Sequence, residues 1–129
     1  MLIRDVSRAG HELSRAEVDD LTGSVRLGEI LTHRVRAEVT AHNRAPERLF
    51  TGLVQPLDAV RYRAGSQLPE ARPLDVDRCV QAVEEAAAAG VLRVRIDGGE
   101  PTSDLDAVVD VDAVTELTVV LERPVVAAV

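Results

Sequence analysis

The sequence predicts an α+β fold in which a mixed sheet wraps over one long helix, with an inserted loop and a second helix. Three observations carry this. Leu27, Leu31, Val35 and Val39 recur at i, i+4, with Ile30 beside them, which is the stripe of a half-buried helix over about 25–43. The segments 91–97 (VLRVRID) and 117–121 (LTVVL) alternate, which is the period of a strand with one buried face. Between helix and strands, residues 45–74 hold four of the six prolines and break any regular pattern.

Taken in order, residues 2–6 (LIRDV) read as a strand, and Arg8-Ala9-Gly10 as a turn in which Gly10 takes positive φ. Residues 11–18 (HELSRAEV) fit either a hairpin strand or a short helix opened by the Ser14/Glu17 capping pattern. Ser24 is placed to cap the first helix, whose outer face would carry Arg26, Arg34, Arg36 and Glu38, and Asn43 with Pro46 ends it. Residues 49–54 and 60–63 suggest short strands about the turn Pro56-Leu57-Asp58, and 65–73 reads as an exposed loop. The whole stretch from about 45 to 74 reads as an insertion docked on the domain, too irregular for a core layer. Asp75 is an N-cap for a second helix that turns Val76, Cys79, Val80, Val83 and Ala87 to one side and stops at Gly90. The strand 91–97 turns at Asp97-Gly98-Gly99, an irregular crossing follows over 105–111, and Leu117, Val119 and Leu121 form the last strand before Pro124.

A chain of 129 residues suits one domain spanning 1–129 and can bury its own core. With Phe50 and Tyr62 as the only aromatic residues, that core must be built from Val, Leu, Ile and Ala. A single cysteine allows no internal disulfide and fits a reducing compartment. No apolar run reaches the length of a membrane span, and the first residues lack the pattern of a signal peptide, so the expected location is the cytoplasm. A net charge of −7 argues against non-specific nucleic-acid binding.

No residue stands out as a catalytic centre. There is no phosphate-cradling glycine loop, no nucleophile elbow, and His11, His33 and His42 are scattered. Cys79 lies on the apolar face of a helix, with no histidine or basic helix end to activate it. Asp104-Leu105-Asp106 lacks the further ligands and central glycine of a calcium loop. The expectation is a protein that is not an enzyme and uses no cofactor or metal. Charge patterning offers a different surface: eight acidic residues and no basic one lie between Asp97 and Glu122. Among them Asp104, Asp106, Asp110, Asp112 and Glu116 form a candidate docking face for a basic partner.

The segment 93–129, with Val94-Arg95-Ile96-Asp97-Gly98 ending a strand and Pro124 opening a tail, resembles the ubiquitin-like sulfur carriers of molybdopterin and thiazole synthesis. The helix opening Ser24-Val25-Arg26-Leu27-Gly28-Glu29-Ile30-Leu31 is similar to theirs, which favours the hairpin strand at 11–18. The resemblance implies a ubiquitin-like β-grasp with a partner-binding or conjugation tail: Arg123, Pro124, Val125, Val126, Ala127, Ala128 and Val129. It also implies a protein partner, such as an adenylating enzyme or a protease, with neither nucleic acid nor membrane involved. An apolar face at 49–54 would permit self-association. The tail departs from the family. Ala127 and Ala128 stand where the carriers have a glycine pair, and β-branched Val129 overhangs. Two functions follow as expectations: partner binding through the acidic face and tail, or a carrier or modifier whose C-terminus, after trimming, is adenylated. The absence of lysine among the 15 basic residues suits the second, since no lysine amine could attack an activated tail.

Overall fold

Alternation in the first segment places Ile3 and Asp5 on one side of a strand and Arg4 on the other. In the computed structural model, which describes residues 1–62 and 65–129, this segment is β1 (Leu2–Ser7). Gly10 adopts φ 87° in the turn that follows, and β2 (Glu12–Glu17) pairs back antiparallel, so the hairpin reading of 11–18 is the one the chain adopts. A register shift falls between Asp5 and Val6.

Ser24 does not cap the first helix. It begins β3 (Ser24–Arg26), and α1 (Leu27–Arg44) starts directly after it with no side-chain cap. The free amides at the helix start find backbone partners instead: Leu27 donates to the Ala107 carbonyl and Gly28 to the Leu105 carbonyl, both at 2.8 Å. The apolar stripe packs as its period demands, with Leu27, Ile30, Leu31, Val35 and Val39 all buried. Arg34 is buried as well, against its assignment to the outer face.

The proline-rich stretch is more ordered than its composition suggests. It forms β4 (Leu49–Phe50), β5 (Val54–Pro56), β6 (Val60–Tyr62) and β7 (Gly65–Gln67). Gly65 to Pro73 is therefore not a plain exposed loop: β7 pairs with both β4 and β6, and Ser66 and Leu68 are buried. Gly65 sits at φ 139° with the Phe50 carbonyl 2.7 Å from where a Cβ would be, so no larger residue fits there. Arg63, expected at the end of a strand, lies outside the described residues. Phe50, Leu53, Val54, Leu68 and Leu74 join the main core, so the insertion supplies part of a core layer.

Helix α2 (Val76–Ala88) is capped by Asp75, whose side chain accepts from the Arg78 amide. Cys79, Val80, Ala82, Val83 and Ala87 are its buried residues, and it packs beside α1. Then come β8 (Leu92–Ile96), β9 (Val108–Asp110), β10 (Glu116–Leu121) and β11 (Val125–Ala127). The crossing segment thus contains a strand, since β9 pairs antiparallel with β3. The run 117–121 is not the last strand, because β11 follows it.

The largest sheet has the order β2-β1-β10-β8. Its central pair, β1 and β10, is parallel, and both flanking pairs are antiparallel. Ile3 of β1, Leu92 and Val94 of β8, and Leu117 and Val119 of β10 share one apolar cluster with the stripes of both helices. The chain is therefore α+β, with two helices and several sheets, one of them mixed, among the described residues. Among the described residues no helix is long and apolar enough to cross a membrane.

Candidate functional site

The tail 123–129 does not stand away from the body. Its central residues form β11, parallel to β5, with Val125 opposite Val54 and Ala127 opposite Pro56. Leu57 donates to the Ala127 carbonyl at 2.9 Å, Arg78 reaches the Ala128 carbonyl at 3.4 Å, and Arg72 donates to the Val129 carbonyl at 3.0 Å. Val125 is buried, Val126 is exposed, and Pro124, Ala127 and Val129 are half-buried. Arg123 and Ala128 are exposed. The sequence contains the apolar residues of this strand but no sign of its partner, because β5 lies far away along the chain.

The acidic residues divide by what their carboxylates do. Asp104 Oδ1 accepts from the Asp106 amide and Asp110 Oδ1 from the Asp112 amide, each closing a small local turn. Asp112 Oδ2 accepts from Gly23, tying β9 to the start of β3. Asp106 points to solvent, with Arg26 3.9 Å away. These four are exposed on the segment around β9, and Val108, 67% exposed, stands among them. Glu116 is separate. It lies half-buried on β10 and accepts from Arg4 of β1 at 3.0 Å. Asp97 does structural work that the sequence did not disclose: at φ 48° its Oδ1 accepts from the Thr115 and Glu116 amides, pinning the end of β8 to the start of β10.

The most buried charges in the protein were not among the expected site residues. Arg34 of α1 makes a two-pronged pair with Asp5 of β1, and Ser14 of β2 donates its hydroxyl to Asp5 Oδ2. Asp5 is 1% and Arg34 2% exposed. Glu38, one turn along α1, places Oε1 3.4 Å from Arg34 Nε and accepts from the Leu53 amide at 3.1 Å. Burial alone would lower the Arg34 pKa. The bond to Asp5 and the Glu38 carboxylate reverse this and hold it above the ordinary arginine value. Burial pushes the Glu38 carboxyl above the usual glutamate value, and the Arg34 charge only partly offsets it. Arg34 Nε has no hydrogen-bond partner among the described residues. Asp5 and Ser14 also line a cleft of about 940 Å³ between the N-terminal hairpin and the 49–66 segment, with Gln55 and Ser66 opposite. The signal for this network was present: Asp5 follows Ile3 by two on a strand, and Arg34 follows Leu27 by seven on a helix.

Cys79 is fully buried, and burial pushes its thiol up to about 11, with the Asp75 and Glu38 charges adding to the effect. A thiol in that state is not a nucleophile near neutral pH. His33 contacts Asp20 at 2.8 Å, and His42 contacts the Arg72 carbonyl at 2.8 Å and the edge of Phe50. His11 is exposed near the hairpin turn. Among the described residues no three metal-ligating side chains gather at one point. No family model matches this chain, and no curated protein or solved structure is significantly similar to it.

Proposed function

We propose that this chain is a non-catalytic, ubiquitin-like β-grasp domain that binds a protein partner through its acidic face. The observation that carries the reading is the surface around β9, where Asp104, Asp106, Asp110 and Asp112 are exposed on the same segment as Val108, which faces Arg26 across the ladder. An exposed apolar side chain with four carboxylates on its segment suits a basic, partly apolar protein surface. The β-grasp assignment is supported by the order β2-β1-β10-β8, by the parallel central pair, and by a long helix that follows the first hairpin. The sealed Cys79 supports a role without nucleophilic chemistry.

The test is site-directed photocrosslinking in cells with the crosslinker at position 108. A single captured protein, lost when Asp106→Lys and Asp110→Lys are introduced and retained when Glu122→Lys is introduced, is the expected result. Equal capture by all three proteins would sink the reading.

The second reading is a carrier or modifier adenylated at its C-terminus. The lysine-free composition favours it. It requires β11 to leave β5, and Arg72 and Arg78 to release the carbonyls they hold. Intact mass after incubation with ATP and an activating enzyme decides it, since an unchanged mass excludes adenylate, thiocarboxylate and conjugate alike.

A further inference from the structure

The tail and the outer side of α2 enclose a groove of about 900 Å³. Its floor is small and apolar, drawn from Ala82, Ala86, Val91 and Val125. Its rim is positive: Arg61 of β6, Arg78 of α2 and Arg123 at the start of the tail all line it. Glu85 is the one carboxylate among its described lining residues, and it is engaged by the Gln81 amide. Arg78 is partly occupied by the Ala128 carbonyl and lies 3.7 Å from Asp75. Arg61 and Arg123 are exposed, and their side chains make no hydrogen bond or ion pair with the described residues. On a chain of net charge −7, three arginines against one glutamate give this lining a positive formal charge.

The strand that walls the groove has an open edge. Among the described residues β11 pairs only with β5, and the Leu57 bond to the Ala127 carbonyl shows which residues face that ladder. Backbone groups alternate between the two edges of a strand, so the N–H and C=O of Val126 face away from β5. Val126 is also the most exposed valine of the tail, at 41%.

We infer that this groove binds an extended, acidic peptide segment of a partner protein. The segment lies along the open edge of β11, sets carboxylates against Arg61, Arg78 and Arg123, and seats small apolar side chains on the alanine and valine floor. Main-chain pairing along an open edge supplies affinity, and the alternating side-chain contacts supply selectivity. The inference stands apart from the acidic-face reading, because the charges are opposite and the residues are different.

The probe is a fluorescein-labelled decapeptide alternating glutamate and valine, followed by anisotropy, with a lysine–valine decapeptide as control. The glutamate peptide is expected to bind, with affinity falling as salt rises, and the lysine peptide is not. Arg61→Glu with Arg123→Glu should weaken binding at least tenfold while the thermal midpoint stays that of the parent, since neither side chain has a partner to lose. Ala86→Glu, which places a carboxylate on the floor without touching an arginine, should weaken binding as well. Asp106→Lys on the acidic face should bind like the parent, which separates this site from that one. Absent binding, or binding that both groove variants leave unchanged, overturns the inference. So does concentration-dependent self-association of the parent that Arg123→Glu abolishes, which would assign the groove to a second copy of the chain.

Discussion

Asp5 and Arg34 show what one pair of side chains can demand of a small core. A buried ion pair is costly to desolvate and expensive to break singly, because the survivor is left uncompensated. Arg34→Met should therefore lower unfolding free energy by about 3–5 kcal/mol in urea titrations. Adding Asp5→Val to the same chain should recover most of that loss, since two apolar residues then meet. A double variant as unstable as the single one would show that the pair adds net stability. Glu38, beside the pair, gives a pH signature. Its carboxyl is held above the ordinary value chiefly by burial, so the folded state binds its proton more tightly than the unfolded chain does. Its contribution is therefore complete below the usual glutamate range and is lost as pH rises through the raised value. Measured against Glu38→Gln, the parent should lose relative stability as pH rises above the usual glutamate range. A relative gain over that range would mean that attraction to Arg34 outweighs burial.

At the scale of elements, β11 is a strand by virtue of its packing. Its two valines do opposite things: Val125 is 4% exposed and Val126 41%. Val125→Ala should cost about 2 kcal/mol in urea unfolding, the worth of two buried methyls and the space they leave. Val126→Ala should fall within about 0.5 kcal/mol of the parent. Equal losses at both sites would place the tail differently from the arrangement described. Such elements also mark where the sequence stopped being legible. The stripe of α1 and the alternation of β8 and β10 could be read directly, because each repeats within its own segment. β5, β7 and β9 are three residues long, too short for a period, and each exists because another strand supplies its hydrogen bonds. Ser24 misled for the same reason. The helix it adjoins takes its first acceptors from the carbonyls of Leu105 and Ala107, which no local pattern announces. Of the candidate surfaces, the acidic run was plain in the residue order. The arginine groove was not, since Arg61, Arg78 and Arg123 are brought together only by folding.

At the scale of the whole molecule, β1 is one of the two central strands of the largest sheet, and its two neighbours are far apart in the described order. β2 follows immediately, whereas β10 lies beyond both helices and the insertion. On the ribosome, the hairpin of β1 and β2 can therefore form early, but the side of β1 that β10 will occupy stays bare until residues 116–121 have emerged. Throughout that interval Ile3 has Ala16 of β2 on one side and lacks Leu117 of β10 on the other. An edge left bare while the intervening residues emerge is the condition under which strands join the wrong neighbour. Arg4 of β1 and the charged residues on both strands of the hairpin are of the kind that blunt such an edge.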